Sequence, residues 1–290
     1  MPASESARYL GFMPELPEVE YARKQAQNAL AGKVVSKVIC AQDDIVFDGV
    51  QPKALAKHLK GQEVLAAHRR GKYMWLELNK KPFPMFHFGM TGRFHVKGEA
   101  PIQLETGPKV DPEQWPPRFT KIEIIMKDDT SLVMTNSRRL GRIRLLESPL
   151  EDGPIAKLGF DPLLSMPAKA EFEALVRVRK STLKGLLLNQ AFAAGVGNWI
   201  ADEVLYQARL SPTRRANELN ADEVGKLHSA LKKVIQKAVS VDADKKRFPK
   251  GWLFHHRWGQ VEGAKTESGE SIEYIKVAGR TTAWVPSAQS

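Results

Sequence analysis

The residues with the clearest chemical potential stand near the start of the chain, where Met13, Pro14 and Glu15 open the segment MPELPEVE. If Pro14 becomes the first residue, its nitrogen is a free secondary amine with a pKa of about 8, against about 10.4 for lysine. Much of that amine is then neutral and nucleophilic at physiological pH, and the neighbouring Glu15 carboxyl can exchange a proton with a reacting group. The same segment also fits a Pro- and Glu-rich helix start, so both interpretations stay open.

Residues 1–12 decide whether this chemistry is available. With them attached, the nitrogen of Pro14 belongs to a tertiary amide, which carries no hydrogen and cannot form an iminium. Pro2 is followed by Ala3 and Ser4 rather than by a glutamate. If Pro14 is the nucleophile, residues 1–12 are therefore expected to be an extension that is absent from the active protein.

The composition favours a globular protein with a polyanionic partner. The chain has 290 residues, of which 42% are hydrophobic, and 44 Lys and Arg against 33 Asp and Glu give a net charge of +11. Short basic clusters at 68–72, 137–144 and 177–180 are typical of nucleic-acid-binding surfaces, and occur on other soluble proteins as well. Cys40 is the single cysteine, which excludes an internal disulfide and a cysteine zinc site and predicts a buried strand residue. No segment has the apolar length of a membrane helix.

The segment AGVGNWIADE has the pattern of a phosphate-binding helix start. Gly195 and Gly197 permit a tight turn, and Asn198 is predicted to cap the next helix, which leaves backbone amides available to a phosphate. The alternative interpretation of these residues is a capped turn between two helices that binds no ligand. Asp202 and Glu203 are predicted to form a solvated face or a helix-positioning contact.

Two further segments, HFGMTG and NSRRLG, place Met90, Arg138 and Leu140 at predicted turns. Side chains of this kind can fill the gap that a flipped nucleotide leaves in a base stack. A core methionine and an ordinary basic hairpin are the alternatives.

Hydrophobic periodicity supplies the elements that must position these residues. It predicts a helix at 17–30, followed by strands at 33–40, 72–78, 85–88, 121–127, 131–136 and 142–147. Helices are predicted within 170–179, 183–190, 197–210 and 221–240, and strands within 271–279 and 280–286. The change of period places a domain boundary near residues 148–160.

Seven motifs, MPELPEVE, RRGKY, HFGMTG, RRLG, LGFDPL, GVGNWIADEVLYQARLSP and AGRTTAWVP, occur in this order. Together they resemble the formamidopyrimidine-DNA glycosylase and endonuclease VIII family over nearly all of residues 13–286, and most closely its zincless plant and fungal branch. The resemblance implies an α+β fold. A β-sandwich domain flanked by helices is expected at 13–148, a helix-two-turn-helix domain at 160–241 and a zincless-finger β-hairpin region at 242–290.

The resemblance also implies a bifunctional DNA glycosylase and abasic-site lyase of base excision repair, which forms a Schiff base through an N-terminal proline and proceeds by β,δ-elimination. Its implied partner is double-stranded DNA containing oxidised bases or abasic sites. The implied protein is a monomer without cofactor, metal or membrane association, and in a eukaryote it is nuclear. The matched positions are Pro14, Glu15 and Lys72 for catalysis, Glu18 and Lys184 for the lesion pocket, Lys72, His87, Asn198 and Arg280 for phosphate binding, and Met90, Arg138 and Leu140 for void filling.

Three departures from the family pattern bear on specificity. Leu140 stands where many relatives have phenylalanine, and the finger cysteines are absent, so the hairpin's own packing is expected to hold Arg280. Residues 247–258 offer no counterpart of the loop that covers 8-oxoguanine in bacterial members. The sequence therefore favours ring-opened purines, further-oxidised guanines, oxidised pyrimidines or abasic sites as substrates.

Two other functions stay open from the sequence. A chain that keeps residues 1–12 would be a non-catalytic binder of damaged DNA. A structural nucleic-acid protein could share the helix-two-turn-helix alone, although this does not explain MPELPEVE or AGRTTAWVP.

Overall fold

The computed structural model describes residues 13–99 and 114–290, so the predicted extension at 1–12 lies outside the described residues. Contacts between Cα atoms divide the chain into two units. The N-terminal unit runs to Pro14 and from Glu18 to Lys157. The C-terminal unit contains Leu158–Ser290 together with Glu15–Pro17.

The N-terminal unit is a β-sandwich with two helices, α1 (Leu16–Leu30) and α2 (Pro52–Leu59). Its strands are β1 (Lys33–Cys40), β2 (Glu63–Arg70), β3 (Tyr73–Leu78), β4 (Phe83–His87), β5 (Arg93–Val96), β6 (Thr120–Met126), β7 (Ser131–Thr135) and β8 (Arg142–Leu146). They follow the order β5-β7-β6-β1-β2-β3-β4-β8, and every neighbouring pair is antiparallel. The first two residues of β1 pair with β2 and the rest pair with β6 across a bulge, so β1 passes from one sheet into the other.

Alternate residues of these strands form one core between the sheets. Residues that face it from β3 and β6 are Met74, Leu76, Leu78, Ile122, Ile124 and Met126. The rings of Phe86 and Phe88 meet Phe94 of β5 edge to face, with centroids 5.2 and 5.1 Å apart. This period of two is what a sandwich requires, because successive strand residues point to opposite faces.

The predicted helix at 17–30 and the predicted strands of this unit are confirmed, including the hairpin between β6 and β7. The pattern did not predict α2, β2 or β5. Cys40 does lie in β1, but it is half-buried and not fully buried as expected. Burial raises the pKa of its thiol to about 12.

The C-terminal unit contains α3 (Lys169–Arg177), α4 (Leu183–Leu188), α5 (Asn198–Ala208) and α6 (Ala221–Ser240), followed by β9 (Glu273–Val277) and β10 (Arg280–Trp284). All six elements were predicted, and α6 has the predicted bounds. Asn220 and Glu223 form a capping box at the start of α6. Ala278 and Gly279 link β9 to β10 with φ angles of 50° and 73°, as a two-residue hairpin turn requires.

The segment at 247–258 belongs to the core of this unit. Phe248, Trp252 and Phe254 are buried. Their rings pack around Trp199 of α5, with centroids 5.6, 6.4 and 5.1 Å from it. Packing against Trp199 therefore explains the aromatic residues Phe248, Trp252 and Phe254 in this segment.

Candidate active site

The Glu15 carboxylate is bound to the start of α5. Its Oε2 accepts hydrogen bonds from the amides of Gly197 (2.9 Å) and Ile200 (3.2 Å), and its Oε1 accepts one from Trp199 (2.9 Å). The side chain is buried. Three amide donors and the positive end of the helix dipole stabilise the ionised carboxylate. The expectation that these amides are available to a phosphate is wrong, because Glu15 occupies them.

Glycine at position 197 makes this contact possible. A Cβ there would lie 2.3 Å from Cδ and 2.5 Å from Oε1 of Glu15, closer than any ordinary contact. Gly197 is also the N-cap of α5, so the prediction that Asn198 caps the helix is wrong. One residue further on in the chain, the amide of Leu16 donates to the carbonyl of Gly195 at 3.1 Å and fixes the backbone beside Glu15.

Lys184 is fully buried in α4 and forms an ion pair with Asp202 of α5. Its ammonium also donates to the carbonyl of Asn198 at 2.9 Å. Burial lowers the pKa of this amine, and the Asp202 carboxylate opposes that shift. Asp202 and Glu203 are both buried, so the solvated face predicted for them is wrong, and Asp202 makes the helix-positioning contact that was the other expectation.

Asn198 and Arg280 lie close together in the C-terminal unit. The Asn198 side-chain amide donates to the carbonyl of Thr281 at 3.0 Å, directly after Arg280 at the start of β10. Arg280 is exposed. The fold thus brings two of the predicted phosphate-binding residues to one end of the hairpin.

Lys72 and His87 lie at the same end of the neighbouring strands β3 and β4 in the N-terminal unit. Lys72 lies in the turn before β3, and Tyr73 is paired with His87, which is paired in turn with Arg142 of β8. Burial, and then the charges of Lys72, Arg142 and Arg144, lower the pKa of His87 to about 4. Arg142 was not predicted as a site residue, although it lies in the basic cluster at 137–144.

His87 is therefore neutral at physiological pH. Its Nδ1 accepts a hydrogen bond from the amide of Gly89 at 3.3 Å, which places the proton on Nε2. An imidazole in this tautomer is a hydrogen-bond donor towards an anion.

Met90 and the pair Arg138 and Leu140 lie on two neighbouring loops, the β4–β5 loop (88–92) and the β7–β8 loop (136–141). Arg138 is exposed and Leu140 is 43% exposed. The buried side chain of Asn136 joins the loops, because its Nδ2 donates to the carbonyl of Phe88 at 2.9 Å and its Oδ1 accepts from the amide of Leu140 at 3.1 Å. Asn136 was not predicted from the sequence, because it carries no local signal of this long-range contact.

Pro14 is buried and lies two residues before the start of α1 at Leu16, and Glu18 is buried in the first turn of that helix. Within residues 13–99 and 114–290, no cluster of three His, Cys, Asp or Glu side chains is placed to hold a metal ion. No helix in the same ranges is long and apolar enough to cross a membrane.

Two family profiles match the chain and together cover most of its length. The formamidopyrimidine-DNA glycosylase N-terminal domain matches residues 13–143, and the formamidopyrimidine-DNA glycosylase H2TH domain matches residues 158–250. The chain belongs to the formamidopyrimidine-DNA glycosylase family. The predicted family is confirmed, and the match over 13–143 argues against a structural protein that shares the helix-two-turn-helix alone.

Named relatives agree with this assignment. The formamidopyrimidine-DNA glycosylase of Arabidopsis thaliana is 42% identical over 277 residues, which are 96% of this chain and 71% of the plant protein. The bacterial enzyme of the same name from Pelobacter propionicus is 30% identical over 283 residues, covering 96% of this chain and all of that protein.

Solved structures of the formamidopyrimidine-DNA glycosylase family share the fold. A Lactococcus lactis FPG mutant in complex with Fapy-dG-containing DNA has a TM-score of 0.78 and 25% identity. MutM in complex with DNA containing carbocyclic 8-oxo-G has a TM-score of 0.77 and 25% identity. Both alignments cover 96% of this chain and all of the other chain. The predicted α+β fold, with a β-sandwich, a helix-two-turn-helix and a terminal hairpin, is confirmed.

Proposed function

We propose that this chain excises ring-opened and oxidised bases from double-stranded DNA and cleaves the resulting abasic site, with Pro14 as the nucleophile. Its family makes it a DNA glycosylase and abasic-site lyase of base excision repair. The neutral amine of an N-terminal Pro14 attacks the sugar C1′. The bond from C1′ to the base breaks, and the base leaves with the bonding electron pair and takes up a proton from solvent. The sugar ring opens, and the product is an iminium between Pro14 and C1′.

The iminium makes the C2′ proton acidic. Loss of that proton expels the 3′ phosphate by β-elimination, and a second elimination expels the 5′ phosphate. Water then hydrolyses the remaining iminium and returns the free amine. No step needs an oxidant or a reductant.

The observation that carries the proposal is the Glu15 carboxylate, held by three amides of α5 directly after Pro14 in the chain. Three amide donors favour the ionised form of this carboxylate, which can then take up a proton and pass it on. We assign Glu15 the transfer of the proton between the Pro14 amine and the opening sugar. Its negative charge also stabilises positive charge that develops on the sugar.

Phosphate binding is assigned to Lys72 and His87 in the N-terminal unit and to Asn198 and Arg280 in the C-terminal unit. The Nε2 proton of His87 and the exposed guanidinium of Arg280 are donors suited to phosphate oxygens. Met90, Arg138 and Leu140 are assigned to the void left by the flipped nucleotide, since they share two loops joined by Asn136. Glu18 and Lys184 are assigned to the surroundings of the lesion, Lys184 through its contacts with α5.

Ring-opened purines are the proposed preferred substrates. The relatives are named for formamidopyrimidine, and the Lactococcus lactis complex contains Fapy-dG. In this chain the residues at 247–258 pack around Trp199, which favours a pocket without a covering loop of the 8-oxoguanine type. The identity with a plant enzyme supports a eukaryotic relationship, and we assign the protein to the nucleus on that basis.

Excision from a panel of duplexes tests this proposal. The duplexes carry formamidopyrimidine, a further-oxidised guanine, an oxidised pyrimidine, 8-oxoguanine or an abasic site. We expect rapid excision of ring-opened purines and slow excision of 8-oxoguanine. Glu15→Gln should bind the same duplexes but excise none of the bases. Undiminished excision by Glu15→Gln would reject the role of this carboxylate, and 8-oxoguanine as the best substrate would reject the proposed preference.

A further inference from the structure

The β9–β10 hairpin cannot owe its position to its own strands. Two strands joined by a two-residue turn are marginally stable in water, and the chain has a single cysteine. The hairpin nevertheless carries Arg280, the proposed phosphate contact. The packing that was expected to hold Arg280 includes contacts of the hairpin with α5.

One row of α5 side chains contacts alternate residues of the hairpin. Asn198 donates to the carbonyl of Thr281 at 3.0 Å, and Asp202 accepts from the amide of Ala283 at 3.2 Å. Tyr206 shares a buried cluster with Ala283 and with Val285. Four helical residues advance by about 6 Å and two strand residues by about 6.7 Å. The two spacings match, so helix and strand stay in register over three contacts.

Asp202 is the charged member of this row, and it is 1% exposed. The Oδ2 atom that accepts from Ala283 also accepts from Nε and Nη2 of Arg257, at 3.1 and 2.5 Å. Its other oxygen is paired with Lys184. The two cations thus fix both oxygens of the carboxylate, and with them the acceptor that faces β10.

Other charges around the cluster make the aspartate necessary. Lys184 and Arg257 are buried, and the neighbouring Glu203 on α5 accepts from the amide of Phe254 at 2.9 Å without touching either cation. Without Asp202, the two buried cations would lose a carboxylate that is hydrogen-bonded to both, and only the charges of Glu15 near Lys184 and of Glu203 near Arg257 would partly balance them. An uncompensated buried charge is strongly destabilising.

We propose that Asp202 is a positioning residue that holds the β9–β10 hairpin on α5 and so places Arg280 for phosphate binding. This inference rests on the proposed role of Arg280. It predicts that Asp202 affects DNA binding only through the hairpin. The two residues should therefore behave as one unit and not as two independent contributions.

A double-mutant cycle on the full chain tests this. Affinity for a duplex with a tetrahydrofuran abasic analogue is measured at several salt concentrations for Arg280→Ala, Asp202→Asn and the double variant. We expect each single variant to bind on the order of tenfold more weakly. Each should also lower the log–log salt slope by about 0.9, the value for one phosphate contact. The double variant should be no weaker than Arg280→Ala.

The matched control is Asp222→Asn, an exposed aspartate of α6 paired with Lys226, and it should bind like the parent. If Asp202→Asn does not fold, Arg257→Met takes its place in the cycle. This substitution removes the guanidinium that orients Oδ2 of Asp202, and the remaining pair of Lys184 and Asp202 has no net charge. The positioning role alone would be overturned if the losses of affinity multiply in the double variant. An unchanged salt slope in the variant at position 202 or 257 would have the same consequence. If Arg280→Ala binds the duplex as tightly as the parent does, the positioning role of Asp202 and the phosphate role of Arg280 would both be overturned.

Discussion

Replacing Gly197 by alanine should disable base excision, because the new methyl group displaces the Glu15 carboxylate. The new Cβ would lie 2.3 Å from Cδ of Glu15, whereas ordinary contacts begin at 3.4 Å. The carboxylate must therefore move by about 1 Å, which stretches its hydrogen bonds to three amides. Backbone strain is not a factor, because Gly197 has a φ of −128°, which alanine adopts readily.

A misplacement of about 1 Å in a reacting group can cost on the order of a hundredfold in rate. We expect a loss of that size in the single-turnover rate of formamidopyrimidine excision, with affinity for the abasic-analogue duplex largely kept. The assay uses a chain that begins at Pro14, with protein in excess over DNA.

Gly225→Ala is the matched control for this substitution. Gly225 lies in α6, and no atom lies within 4 Å of its Cβ position, so the same chemical change meets open space. Alanine should stabilise that helix by up to about 1 kcal/mol without changing excision. A folded Gly197→Ala variant that excises within about threefold of the parent would refute the importance of the Glu15 position.

Two further predictions concern a buried acid and the void-filling loops. Burial raises the pKa of Glu203 from 4.5 to about 7. Between these two values the folded state binds more protons than the unfolded state. The stability that Glu203 contributes is therefore lost as the pH rises through about 7. Glu203→Gln should therefore gain thermal stability relative to the parent on going from pH 5 to pH 8, and a pH-independent difference in Tm would contradict this. Asn136→Ala removes the bonds that join the β4–β5 and β7–β8 loops, so duplex excision should fall by on the order of tenfold. Cleavage of single-stranded abasic DNA should stay unchanged, since no base stack needs filling there, and equal losses on both substrates would count against the void-filling assignment.

Periodic patterns predicted most of the fold. The helix at 221–240 has the predicted bounds because its apolar stripe is long and a capping box marks its start. β2 was not predicted because its inward positions include Arg69, which is buried and paired with Glu20 at 2.9 Å. The basic cluster at 68–72 therefore does not consist only of contacts for a partner.

The site residues were found through motifs, but their contacts were not predictable from local sequence. Glu15 binds amides more than 180 positions away, and nothing in MPELPEVE indicates that partner. Asp202 and Glu203 have the local appearance of an exposed acidic turn, and only the packing of Lys184, Arg257 and Phe254 around them explains their burial. Long-range polar contacts leave no periodic pattern in the sequence. The prediction that Asn198 caps α5 was wrong because Gly197 is the N-cap and the distant Glu15 accepts from the first amides of the helix.

Borohydride trapping on abasic DNA tests the role of Pro14 most directly. Two chains are compared after mass spectrometry of their N-termini, one that begins at Pro14 and one that retains residues 1–12. The chain that begins at Pro14 should be captured covalently, with the DNA attached to the Pro14 peptide, and the longer chain should not be captured because its Pro14 nitrogen is a tertiary amide. Equal capture of both chains, or attachment at a lysine such as Lys72, would contradict the proposed mechanism.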